Sequence, residues 1–186
     1  MRVRSATAMN LGANAMSNWR VKQSGTGTYQ LDADGMLFDC IIGKVGVIDS
    51  SAKREGDMAT PQCTMPMRAV YYRADRVNVP ELPFPAYPIT PSCGWCDAPD
   101  HPAYNRHVSL PFDASHEAMW RDDPAYDIVV ALGYNDAPVI AGRGSAIFMH
   151  CIAPGKTHTA GCVALAHADL LALLAMASPD QHIMIV

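Results

Sequence analysis

The chain is 186 residues long, and its most reactive residue types cluster in one stretch. In MHCIAPGKTHTAGCVAL (149–165), His150, Cys151, His158 and Cys162 fall within thirteen positions. Three readings fit such a set: a metal site, a cysteine nucleophile with a basic partner, or ordinary core filled by soft residues. A zinc site takes thiolates and imidazoles at ~2.0–2.3 Å, usually from knuckles of C-x2-C spacing. His150 and Cys151 are adjacent, and on a strand neighbours point to opposite faces, which places them poorly for one ion. Cys93-Gly-Trp-Cys96 has knuckle spacing, but only four residues separate Cys96 from His101, short of the ~12–15 of a zinc finger. No metal and no cofactor is expected. For Cys93 and Cys96 a zinc staple, a disulfide and two reduced thiols packing a loop all stand as alternatives.

The nucleophile reading fits the spacing better. Cys162 follows Gly161, and a glycine before a nucleophile permits a tight turn and close substrate approach. Backbone amides near such a cysteine could stabilise a thiolate and hold an oxyanion. The nucleophile needs a base within hydrogen-bond reach. His150 ends an apolar run, and Pro154-Gly155 is a strong turn signal. A hairpin-like return through that turn would bring Cys162 back beside His150. The bland reading stands beside it: a lone cysteine is commonly a small buried hydrophobe.

These residues need a scaffold, and its elements are legible in outline. WRVKQSGTGTYQLDADGMLFDCIIGKVGVI (19–48) alternates short apolar runs with Gly-Thr and Asp-Gly turn signals, and Asp34-Gly35 predicts a hairpin. MRAVYYRAD (67–75), YDIVVALGYN (126–135), SAIFMHCIA (145–153) and HIMIV (182–186) predict strands. AHADLLALLAMA (166–177) is the clearest helix. SHEAMWRDD (115–123) predicts another, with Ser115 as its cap. Eight prolines between 80 and 111 predict a long ordered loop over 76–111, with 80–102 as candidate lid. The expected architecture is mostly β with a few helices: an N-terminal segment over 1–18, then a single catalytic domain over 19–186.

Composition narrows the partners. Hydrophobic residues are 49% and charged residues 17%, enough to build a core and far from a disordered composition. The net charge of −4 has no basic stripe, so no nucleic-acid partner is expected. No run reaches the ~18 apolar residues of a membrane span. The N-terminal stretch develops no apolar signal-peptide region. A monomer is expected.

Several segments together carry a resemblance. KREGDMATPQCTM (53–65) looks like a K-x-x-G-D-x-x-T-P-x-G-x-F element, and GRGSAIFMH (142–150) precedes TAGCVAL (159–165). With WCDAPDHPAYNR (95–106), SHEAMW (115–120) and DIVVALGYN (127–135), they resemble YkuD-type L,D-transpeptidases of the ErfK/YbiS/YcfS/YnhG-like branch. The resemblance implies a YkuD-like β-sandwich carrying the Pro-rich loop. It implies Cys162 as nucleophile, His150 as general base, Gly161 as a backbone oxyanion donor and Thr159 as the residue orienting the loop. A thiolate–imidazolium pair would hold the Cys162 pKa well below ~8.5. Peptidoglycan stem peptides are the implied partner, with the periplasm or cell envelope as the site of action. Because diaminopimelate carries carboxylates, a guanidinium is expected nearby; Arg143 and Arg106 are candidates, with Tyr104, Asn105 and His158 as further substrate contacts. The sequence departs from the family pattern at Ala160, where the family has histidine, at Val163, and at Cys63, which replaces a glycine. These departures suggest a branch associated with cross-links between L-alanine and diaminopimelate. The rival reading is a non-catalytic β-domain that binds peptidoglycan or zinc.

Overall fold

The computed structural model describes residues 18–186. The expected N-terminal segment 1–18 lies, apart from its last residue, outside them. The strands in chain order are β1 (Asn18–Gln23), β2 (Tyr29–Ala33), β3 (Met36–Ile41), β4 (Val47–Asp49), β5 (Thr60–Gln62), β6 (Thr64–Tyr72), β7 (Ala86–Pro88), β8 (Cys93–Cys96), β9 (His107–Ser109), β10 (His116–Ala118), β11 (Ile128–Leu132), β12 (Phe148–Cys151), β13 (Val163–Leu165) and β14 (His182–Ile185), with the helix α1 (His167–Met176) between the last two. The main sheet runs β11-β12-β13-β3-β2-β1-β14-β6-β7, and β11 also pairs with β6. The sheet therefore folds back on itself and encloses a core, the mostly β sandwich that the sequence predicts.

Local chemistry explains the elements. Asp34 and Gly35 take φ of 54° and 92° between β2 and β3, the left-handed pair that a tight hairpin turn demands. All five residues of β11 are buried. Ile128, Val130 and Leu132 face the main core, while Val129 and Ala131 face a second cluster, so the strand is apolar on both sides. In α1, Leu170, Leu173 and Leu174 are buried at helical spacing and join Trp19, Leu31, Met149 and Leu165 in the main core. Asp169 in the first turn complements the helix dipole.

One local expectation is overturned. The segment after Ser115 is not a helix: β10 pairs with β8, which also pairs with β9, in a separate three-stranded sheet. The Ser115 carbonyl accepts the Asp97 amide instead of its side chain capping a helix. Cross-strand pairing with Trp95 and Gly94 outweighs a weak helical preference over so few residues. The short helical turn comes later, at Pro124–Tyr126, capped by Asp123. The Pro-rich segment carries β7, β8 and β9. Its second half forms a wall against the main sheet, where Trp95 packs edge-on to Phe148 with ring centroids 5.0 Å apart.

All six cysteines are free thiols, Cys93 and Cys96 included. No helix among the described residues is long and apolar enough to cross a membrane. Leu173 is fully buried in the main core. Leu173→Ala should cost ~2–5 kcal/mol, read as a lowered midpoint in urea unfolding. A change below ~1 kcal/mol would show that α1 is not part of the cooperative core.

Candidate active site

The pair His150 and Cys162 comes together by a different route from the expected hairpin. Strands β12 and β13 run parallel, with Met149 opposite Val163 and His150 opposite Ala164. The APGKT turn is therefore one step of a crossover, with the Lys156 amide bonded to the Ala153 carbonyl. Alternation does the sorting: Met149, Cys151, Val163 and Leu165 enter the main core, while Phe148 and Cys162 sit in the second cluster and His150 and Ala164 line the cavity beside it. His150 and Cys162 line the same cavity of about 850 Å³.

The loop that carries the cysteine is held from below. The Thr159 hydroxyl donates to the Cys162 carbonyl at 2.7 Å and accepts the Gly161 amide at 3.1 Å. The Gly161 amide is thereby engaged within the loop. The Gly161 carbonyl accepts from the Thr60 hydroxyl at 2.9 Å, and that hydroxyl also accepts the Gly43 amide. Gly161 has φ 139°, and a Cβ there would lie 2.8 Å from the Ala59 carbonyl oxygen, so only glycine fits. The ATP part of the 53–65 element is thus the seat of the cysteine loop.

A second loop covers the thiol. Cys162 Sγ donates to the Ala146 carbonyl at 3.1 Å and accepts the Phe148 amide at 3.4 Å. Ala146 has φ 51°, a left-handed conformation costly for alanine. Asn105 stabilises it: its Oδ1 accepts the Ala146 amide and the Trp95 indole, and its Nδ2 donates to the carbonyls of Tyr134 and Asn135. Tyr104 donates to Glu55 and accepts the Gly144 amide. Asn105 and Tyr104 are therefore fully engaged in bracing the 144–146 loop, a different task from the substrate contact expected of them.

The electrostatics contradict a preformed ion pair. Cys162 is 8% exposed, and burial together with the Glu117 charge pushes its thiol up to about 12. Burial pushes the His150 imidazole below its usual value, against the pull of the Cys151 carbonyl. His150 Nδ1 donates to that carbonyl at 2.8 Å, which in the neutral ring leaves Nε2 as the basic nitrogen. The resting pair is thiol and neutral imidazole, and the thiol proton is bonded to Ala146.

The expected guanidiniums stand elsewhere. Arg143 lines a smaller pocket with Cys63 and binds the Ser50 carbonyl. Arg106 is exposed and donates to the Asp136 carbonyl. His158 does line the cavity, from its exposed rim. Sequence reasoning missed Lys53, Glu55, Asp97, Glu117 and Tyr126, all on the cavity wall. Lys53, only 3% exposed, pairs with Asp57 at 2.6 Å. Tyr126 packs edge-on to His150 with centroids 5.3 Å apart and donates its hydroxyl to Glu117. The KREGD stretch carries a signal for the first two, while Glu117 lies in the segment that the sequence predicts as a helix.

Two outcomes follow from this geometry. Alkylation of Cys162, followed by peptide mass mapping, should still be rising above about pH 9, because the raised pKa keeps the thiol protonated. A plateau near neutral pH would establish an ion pair instead. Asn105→Ala leaves buried amides and carbonyls unpaired and should cost at least about 2 kcal/mol, while speeding Cys162 alkylation as the 144–146 loop loosens. Unchanged stability would remove Asn105 as the brace.

A search of curated proteins gives no match. A model of the L,D-transpeptidase catalytic domain, YkuD, matches residues 15–185, nearly the whole described chain. The match covers the β12–β13 pair, the 53–65 seat and the small sheet alike. The chain belongs to the YkuD family of L,D-transpeptidase catalytic domains.

Proposed function

We propose that the protein is a cysteine-dependent L,D-transpeptidase acting on peptidoglycan stem peptides through a thioester acyl-enzyme. The observation that carries this reading is that His150, on β12, and Cys162, immediately before β13, line one cavity. The donor carbonyl displaces the Ala146 contact as it settles over Cys162. His150 accepts the thiol proton as sulfur attacks, so the thiolate forms only with substrate present. The proton then passes to the departing amine, and the acyl group remains on sulfur.

An acceptor amine completes the cross-link, and water gives hydrolysis as the side reaction. The linkage we infer is of the L-alanine to diaminopimelate type, on the strength of the motif departures at Ala160 and Val163. Arg143 and Arg106 lie outside the cavity, and the guanidinium that lines it belongs to Arg121. The cell envelope, where the polymer lies, is the proposed place of action.

Muropeptides incubated with the wild type and with Cys162→Ala should differ, with new cross-linked masses present only in the first. His150→Ala should lower acylation of Cys162 by a carbapenem by a factor of ~10²–10⁴, the usual worth of a general base. Identical muropeptides from both proteins would sink the enzymatic reading.

A further inference from the structure

The inner cavity wall beside Cys162 holds more carboxylates than bonded cations, with Lys156 at its exposed edge. Its two inner cations are already neutralised. Lys53 binds Asp57 and the Arg54 carbonyl, and Arg121 grips Asp123 through two hydrogen bonds. Three carboxylates on the same wall form no ion pair among the described residues, although the Arg121 charge reaches Glu117. Glu117 accepts from the Tyr126 hydroxyl, and Glu55 accepts from the hydroxyls of Tyr104 and Ser145. Asp97 Oδ1 is shut off from solvent and lacks any hydrogen-bond partner among the described residues. The fields of Asp97 and Glu55 reach Glu117 against that of Arg121, and the field of Glu117 reaches the Cys162 thiol against that of Lys53. The groups do not converge as metal ligands among the described residues.

Partly buried carboxylates without a counter-charge are costly, and a cationic ligand removes that cost. We propose that Glu117, with Asp97 and Glu55 beside it, binds the ammonium group of the acyl acceptor, and that the Glu117 carboxylate takes the first proton from it. The inference rests on the transpeptidase reading above.

The second half-reaction demands such a group. An amine enters from neutral water as R–NH3+ and has no lone pair to attack with. Two of its protons must leave before an amide is formed. The first goes to Glu117, whose proton affinity is raised by burial, with Asp97 and Glu55 adding to it and the Tyr126 hydrogen bond and Arg121 opposing it. Nitrogen then attacks the thioester carbon: the C–N bond forms and the C–S bond breaks. The second proton goes to His150 and from it to the departing Cys162 sulfur. Glu117 returns its proton to solvent as product leaves. Water, being uncharged, gains less from the acidic wall than an ammonium does, so the wall favours amine over water.

The test uses the full chain with a muropeptide donor and measures the ratio of transfer to hydrolysis. Two nucleophiles are compared: ethylamine, an ammonium at neutral pH, and hydroxylamine, uncharged there. Glu117→Gln keeps an acceptor for the Tyr126 hydroxyl. It should lower the ratio for ethylamine roughly tenfold, the worth of one charge-assisted hydrogen bond, and leave the ratio for hydroxylamine unchanged. Acylation of Cys162, followed by intact mass, should be no slower than in the wild type, because removing the Glu117 charge eases thiolate formation. Asp97→Asn, which removes charge but no described bond of that oxygen, should shift the ethylamine ratio in the same direction. An unchanged ethylamine ratio in both variants overturns the proposal, as does an equal loss for both nucleophiles, which would mark Glu117 as structural. Failure of the wild type itself to acylate would instead overturn the transpeptidase reading.

Discussion

The parallel pairing of β12 with β13 is the constraint on which the site depends. Parallel neighbours keep the same sense of alternation, so residues 148, 150, 162 and 164 share a face without any further device. A parallel pair also requires a crossover, and residues 152–162 supply it as an irregular loop. That loop must turn sharply just before Cys162, and the turn is where Gly161, Thr159 and Thr60 meet. Had the two strands formed a hairpin, the turn between them would have been short, and no loop would have been left to present the thiol to the cavity rim.

Around this pair the protein has built two braces from distant parts of the chain. The 53–65 element supports the cysteine loop from one side, through Thr60 and the Ala59 carbonyl. The 104–105 segment supports the 144–146 loop from the other, through the four hydrogen bonds of the Asn105 amide. A buried side-chain amide with every donor and acceptor used is a rigid fixture, because each broken bond would leave a polar group unpaired. The Ala146 carbonyl thereby stays aimed at the thiol despite the unfavourable backbone angle. The small β8–β9–β10 sheet closes the same wall and brings Glu117 to Tyr126.

The charge state of the centre follows from these packing choices. Burial disfavours the thiolate and the imidazolium alike, so the resting protein stores neither. A neutral pair is a quiet state: a buried thiol bonded to a carbonyl resists alkylation and oxidation. Chemistry then waits for a ligand that displaces the Ala146 contact. The same low-polarity surroundings make each of the wall carboxylates count for more than it would in water.

Much of the frame was legible in the sequence because it is set by local rules. The Asp34-Gly35 hairpin follows from turn chemistry, β11 from an unbroken apolar run, α1 from leucines at helical spacing, and the separation of Cys151 from His150 from strand alternation. The motifs from Lys53 to Cys162 placed the chain in its family. What the sequence left undecided depends on partners far along the chain. The direction of the β13 pairing is a contact between strands, and the His116–Ala118 strand exists because β8 offers an edge. Arg143 was as good a substrate ligand as any by sequence distance, yet the turn before Gly144 points it into another pocket. Glu117 lies in a segment read as a helix and Tyr126 in none of the family motifs, and only the packing of β10 and the Pro124–Tyr126 turn against the main sheet brings them beside His150. Local propensity and spacing act over a few residues and so can be read from the string. The cavity and its unbalanced charge arise where segments roughly fifty to a hundred residues apart exclude water together, and the fold alone decides that.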